Sequence, residues 1–259
     1  MSHSTLWRTF TLRDRPELEP EFERLAEEGW PRFMRQRDEL GCGRYWPALF
    51  TEFADWQLAV CGQFGRVVAV GHAIPFVWGG QADALPPSIA GIMENAAHAR
   101  AHGRPPTTLS ALAVLVDRRH RGEGLSRAVL TAMAQLAQGK GLEAFVAPVR
   151  PTLKASYPLA GMGQYVKWTD GEGLPFDPWV RTHAKLGAEI VGVLPRAMVI
   201  VGTVGAWEEW TAMRFPDSGT YVVPGALQPV TIDRDRDEGR YEDPNVWMRH
   251  PMSERRAGR

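Results

Sequence analysis

The chain reads as one mixed α/β domain with an extended, charged C-terminal region, and three observations predict it. Thr108–Val116 is a near-continuous apolar run, as expected of a buried central strand. A short basic glycine turn carries it into a helix over Leu125–Gln138, with Leu125, Val129, Ala132 and Leu136 at helical spacing. A second apolar strand, Ala144–Val149, closes this β–α–β unit. Upstream, Trp56–Cys61 and Arg66–Val77 read as two strands joined by the turn Gly62-Gln63-Phe64-Gly65.

The other elements follow in order. Trp7–Leu12 is a first strand. Pro16–Glu28 is a helix with a proline near its start and Leu18, Phe22 and Leu25 on one face. Pro31–Leu40 reads as a second helix, basic on its outer side and broken by Gly41-Cys42-Gly43. Ile89–Ala101 is a helix between two proline-containing loops, and Gly139 and Gly141 end the 125–138 helix. Arg150–Trp179 is an irregular insert of Pro, Gly and Trp. Val180–Leu186 is a short helix stopped by Gly187, Ile190–Val193 and Met198–Val201 are strands, and Trp207–Met213 is a last short helix. From Asp233 the chain is charged and poor in core residues, which predicts a surface arm or partner-binding tail over 233–259 after a domain over 1–232.

The 259 residues are 44% hydrophobic, enough for a real core. Thirty basic residues balance thirty acidic ones, so no global field favours nucleic acid or a membrane. Cys42 and Cys61 make no disulfide framework, no Cys/His spacing reads as a metal site, and a reducing cytoplasm is the expected setting. The N-terminus is too polar for a signal peptide, and no apolar run reaches the ~18 residues of a membrane helix. Tryptophans cluster at Trp46/Trp56, Trp168/Trp179 and Trp207/Trp210. They can wall a cleft, although core packing accounts for most of them.

The chemistry concentrates after the strand at 108–116. Arg121-Gly122-Glu123-Gly124-Leu125-Ser126 brings backbone N–H groups, a helix N-terminus and arginines to one point, a combination that binds phosphate. It lacks the Gly-Lys-Ser/Thr ending of an ATP loop, and no acidic ribose partner follows about 20 residues on. The spacing resembles the R-x-x-G-x-G/A turn of the GNAT (GCN5-related N-acetyltransferase) superfamily, with Ser126 at the sixth position. The resemblance implies a mixed, mostly antiparallel twisted sheet with helices on both faces and splayed central strands, 108–116 and 144–149. It implies acetyl-CoA or another acyl-CoA, malonyl-CoA included, as substrate. Pantetheine would lie along Val114 and Val116. Arg121, Gly122, Gly124 and Ser126, with Glu123 and Leu125 in the same turn, would hold the pyrophosphate, and Arg118 and Arg119 would add charge.

Two further segments carry the resemblance. Thr182-His183-Ala184-Lys185-Leu186-Gly187 is similar to the GNAT segment L-Y-x-K-x-G, whose Tyr often protonates the departing thiolate. His183 stands in its place, and the reference pKa of about 6.5 would keep both protonation states available. His72, His98, His102 and His120 have weaker cases, and His3 and His250 lie near the termini. The insert, beginning Arg150-Pro151-Thr152, resembles the GNAT-like domains of polyketide synthase loading modules, which decarboxylate malonyl thioesters. That likeness implies a site of Thr152 and His183 with Trp46 and Arg196, the last two by approximate spacing. A hydroxyl and an imidazole can stabilise a thioester enolate.

Three functions follow from these readings. The first is acyl transfer from a CoA thioester to a small-molecule amine or a carrier thiol, with Glu94, Asp170 and Glu172 as acidic candidates for the acceptor cleft. The second is malonyl-thioester decarboxylation. The third is acyl-CoA binding without catalysis. Arg32, Arg35 and Arg37 offer a docking surface for an acidic acyl carrier protein.

Overall fold

The computed structural model describes residues 7–252. Strand β1 (Arg8–Thr11) pairs antiparallel with β2 (Leu58–Cys61), β2 with β3 (Val67–Phe76), and β3 with β4 (Thr108–Val116). Between β1 and β2 run helix α1 (Glu19–Gly29) and the four-residue helix α2 (Cys42–Tyr45), and α3 (Ile89–Ala101) precedes β4. Helix α4 (Leu125–Gly139) then leads to β5 (Ala144–Val149), parallel to β4. The insert contains α5 (Met162–Tyr165) and leads into α6 (Pro178–Ala184). Strand β6 (Glu189–Gly202), helix α7 (Val204–Thr211) and strands β7 (Gly219–Tyr221), β8 (Val230–Asp233) and β9 (Glu238–His250) complete the described chain. The sheet order is β1-β2-β3-β4-β5-β9-β8-β7, with β6 along the other edge of β9.

Consecutive residues of a strand face opposite sides, and β5 shows what covers each side. Phe145 packs with Val129 and Met133 of α4 and Val180 of α6. Val146 packs with Ile92 and Met93 of α3 and with Trp46 and Leu49. Helices therefore cover both faces. Helix α4 lies so close on β3 that a Cβ at Gly71 would meet Met133 Cε and Val129 Cγ1 at 2.5 Å.

Strands β4 and β5 pair only through Thr108↔Ala144, Leu109↔Phe145 and Ser110↔Val146. Beyond that point β4 stays on β3 as far as Val116↔Ala69, while β5 follows β9 as far as Val149↔Val246. The two centre strands thus splay, and a gap opens toward the N-terminus of α4.

Three sequence expectations differ from the structure. Pro31–Leu40 is not a helix: only Arg32–Arg35 makes a 3-10 turn, burying Phe33 and Met34, which are adjacent rather than helically spaced. The chain then runs extended, and buried Asp38 accepts the N–H groups of Val199 (2.7 Å) and Cys42 (3.1 Å). The strands at 190–193 and 198–201 are one strand, β6, with a bulge between Leu194 and Met198. The charged region is no surface arm over 238–250, because β9 runs through the middle of the sheet between β5 and β6. Its Pro244, which has no N–H, sits opposite the β6 bulge, where no ladder bond is required. Residues 253–259 of the expected tail, like His3, lie outside the described residues.

Candidate active site

The gap ends at the basic turn. Asp117 N–H bonds Val68 O at 2.9 Å, so strand alternation turns the backbone groups of Val114 and Val116 away from β3 and toward the gap. Asp117 is buried and caps a 3-10 turn over Arg118–His120. Its carboxylate takes Arg119 in a fork, 3.1 Å to Nε and 2.8 Å to Nη2, and these bonds hold it far below the usual carboxylate range. Arg118 donates to Glu28 O at the end of α1 (2.6 Å). Two of the predicted phosphate arginines are thus tied to the protein itself. Arg121 is exposed at the turn and pairs with no carboxylate among the described residues. Gly122 and Gly124 adopt φ of +85° and +79°, and an added Cβ at either would meet nothing within 4 Å. The backbone conformation, rather than crowding, demands glycine there. Gly124 caps α4 without a side-chain hydrogen bond, leaving the first N–H groups of the helix, from Leu125 and half-buried Ser126 onward, pointing out of its end. The Glu123 carboxylate lies 3.3 Å from His120 Nδ1, at the side of the turn.

His183 lies deeper, in α6, on the face covered by α4, and is 1% exposed. Its Nδ1 is 2.8 Å from Nε2 of His250, near the end of β9, so the two imidazoles share one proton between them. Trp179 stands edge-on to the His183 ring at 4.4 Å, and Phe145 stacks on His250 at 4.5 Å. The Nε2 of His183 is buried and has no hydrogen-bond partner among the described residues. Burial, helped by the adjacent His250, pushes His183 down to about 3, and burial pushes His250 down to about 4. The expectation that both protonation states of His183 are available near neutrality therefore fails. At pH 7 it is a neutral imidazole.

One carboxylate connects the insert to this helix. Asp177, 2% exposed, precedes Pro178 at the first position of α6 and accepts the N–H groups of Trp179 (2.9 Å) and Val180 (3.1 Å). Its second oxygen accepts Leu153 N–H (2.7 Å) and the Tyr165 hydroxyl (2.9 Å). The residue after Thr152 and the first turn of the helix that carries His183 are thus held by the two sides of one side chain, although Thr152 itself is exposed. Buried Lys154 fastens the same segment by donating to Tyr157 O (2.8 Å) and to Leu227 O.

The remaining predicted residues lie elsewhere. Trp46 packs against the ring of His72 on the α3 face, opposite His183. Arg196 is exposed on the β6 bulge. Among the described residues no hydrogen bond or ring contact joins any two of Thr152, His183, Trp46 and Arg196. Glu94 meets the Tyr45 hydroxyl (3.3 Å), Asp170 pairs with Arg181 (2.8 Å), and Glu172 is exposed. Arg32 pairs with Glu209, and Arg35 with Glu27 (2.9 Å) and Glu23 (3.4 Å), so two of the three arginines expected to dock a carrier already have partners in the chain.

Sequence reasoning missed His250 and Asp177. Only Asp177 left a local signal, an Asp-Pro pair opening a helix.

The fold with its open gap and glycine turn matches known proteins. Arginine N-acetyltransferase avaD of Aspergillus versicolor is 31% identical over 255 residues, spanning 86% of this chain and 85% of that protein. The chain belongs to the GNAT superfamily. It is an acyl-CoA-dependent acyltransferase of that group. Two solved GNAT structures share the fold over nearly its whole length. The loading GNATL domain of CurA from Lyngbya majuscula superposes with a TM-score of 0.64 at 17% identity, covering 96% of this chain and all of that one. The GphF GNAT-like decarboxylase, in complex with isobutyryl-CoA, superposes with a TM-score of 0.55 at 17% identity, covering 95% and 99%. No protein-family model matches the chain. Among the described residues of this GNAT enzyme, no helix is long and apolar enough to cross a membrane.

Proposed function

We propose that this GNAT enzyme transfers an acetyl group from acetyl-CoA to an amino group of a small basic molecule, with arginine as the first acceptor to test. The observation that carries the reading is the gap between β4 and β5, opening beside the uncapped end of α4. The 31% identity to an arginine N-acetyltransferase supports the choice of acceptor.

In this reading the pyrophosphate sits on the N–H groups from Gly122 to Ser126, with Arg121 beside it and Leu125 packed beneath. Pantetheine runs down the gap along Val114 and Val116, as an added strand would. The amine attacks from the α3 face, the carbon–nitrogen bond forms as the carbon–sulfur bond breaks, and the amine's proton passes to solvent. Neutral His183 acts as a hydrogen-bonding group whose tautomer is set by His250; it is not an imidazolium acid. Arg118 and Arg119 shape the turn through Glu28 and Asp117 rather than meeting phosphate.

Purified enzyme with acetyl-CoA and L-arginine tests the transfer: acetylarginine and free CoA are expected, and CoA bound without product would reject the acceptor. Calorimetry tests the turn. Arg121→Ala should weaken CoA binding about tenfold, worth about 1.4 kcal/mol, and flatten its salt dependence. Unchanged affinity would reject the phosphate assignment.

A second reading, decarboxylation of a malonyl thioester, is favoured by one observation: Asp177 holds both the Thr152 turn and the His183 helix. Malonyl-CoA incubated without acceptor tests it. Acetyl-CoA formed by the parent and lost in Thr152→Ala would establish decarboxylation; intact malonyl-CoA would exclude it.

A further inference from the structure

Asn245 of β9 is 2% exposed, and its Nδ2 donates to Pro148 O on β5 at 3.1 Å. A carbonyl accepts only from the nitrogen end of an amide, so this bond fixes the orientation of the side chain. The Oδ1 therefore points away from Pro148, and it is buried with no donor among the described residues. Buried acceptors without donors are uncommon in native proteins, and each calls for a partner from outside the chain or a structural reason.

The strand places this oxygen. Trp247 packs with Trp46, Leu112 and Val146 on the α3 face, and Asn245, two residues earlier, shares that face. Val246 pairs with Val149, beyond the last β4–β5 pair at Ser110↔Val146, so Asn245 stands level with the open half of the gap and one strand away from it. It faces away from α4 and the turn. Opposite it on β6 is Leu194, where the bulge that bears Arg196 begins.

We propose that Asn245 is a specificity contact for the acyl acceptor: its Oδ1 accepts an N–H from the attacking amine. The inference rests on the transfer reading above. An amine has an N–H to give this oxygen while its lone pair points at the thioester carbon. A thiol has one weak S–H donor and would leave the oxygen unsatisfied. The site thus favours amines over carrier thiols by the chemistry of rejection, since a partner without the donor leaves a buried polar group unpaired.

The competing role is structural, a pin on Pro148, and Asn245→Leu separates the two. The contact role predicts a KM for L-arginine raised at least tenfold and an acetyl-CoA Kd within twofold of the parent, whatever loss of the bond to Pro148 does to the Tm. A lowered Tm with an unchanged KM would overturn the proposal. Asn245→Ser, too short to reach both partners, gives the same readout if the leucine variant does not fold. A parent enzyme that does not acetylate L-arginine would remove the transfer reading and this contact with it. An active parent whose KM is untouched in both variants removes the contact alone.

Discussion

Replacing Asp177 by alanine should loosen the insert and the site together. The carboxylate accepts four hydrogen bonds inside the protein. Losing the helix cap at Trp179 and Val180 costs about 1 kcal/mol. Tyr165 is 1% exposed, and its hydroxyl is left without its acceptor, for about 1–3 kcal/mol. The Leu153 N–H adds about 1 kcal/mol. These losses share one side chain and do not add fully, so Asp177→Ala should lower the unfolding free energy by about 2–4 kcal/mol. Asp177→Asn keeps one oxygen for the cap but turns an NH2 toward the Leu153 N–H, and should cost about 1–3 kcal/mol. Guanidinium denaturation followed by tryptophan fluorescence measures both, because Trp168 and Trp179 flank the junction. Turnover should fall more in the alanine variant than in the asparagine one. If Asp177→Ala unfolds within about 1 kcal/mol of the parent, the carboxylate is not the joint described here.

Two further outcomes follow from the same structure. His72, buried among Phe22, Trp46 and Phe50, is pushed down to about 4, and His183 and His250 are lowered by burial as well. Their folded pKa values lie below the unfolded value near 6.5, so the stability tied to their neutral forms is complete above that pH and lost as pH falls toward 4 and 3. His72 alone should cost about 2 kcal/mol between pH 7 and pH 5, with the pair acting in the same direction; denaturation midpoints at pH 7, 6 and 5 check this, and a flat profile refutes it. In Gly239→Ala the new methyl would lie 2.1 Å from Trp207 Cδ1, on a ring whose Nε1 donates to Gly239 O (2.8 Å). It should destabilise by about 1–3 kcal/mol and change the near-UV circular dichroism of a tryptophan, and an unchanged spectrum would count against it.

What the sequence shows and what it hides divide along a physical line. The spans Ile89–Ala101, Thr108–Val116 and Ala144–Val149 are legible to the residue, because their apolar runs and stops are local. The glycine turn is legible for the same reason. Strand β9 is not. Its Tyr241, Asp243 and Asn245 alternate into the interior, but two of the three look like solvent residues until their partners are known. Asp243 is buried against Arg150 (2.9 Å), 93 residues upstream, and accepts the Tyr241 hydroxyl (2.5 Å). His183 is visible as a candidate, but its protonation is set by burial in the folded chain and, second, by His250, 67 residues away. Periodicity reports polarity; it does not report who neutralises it.

The position of β9 also bears on the order in which the molecule assembles. On one side β5 has three residue pairs with β4, and on the other it has five with β9, at Phe145↔His250 through Val149↔Val246. One wall of the thioester slot is therefore fastened by residues synthesised about a hundred positions later. While the chain is still emerging, β1 to β4 can zip through neighbouring antiparallel pairings, but β5 carries an open edge and the slot has no fixed width. Closing so long a loop is the slow part of folding. A nascent chain stalled before residue 238 should thus display the phosphate turn long before it can hold a thioester, and its unpaired strand edges are where a chaperone would bind.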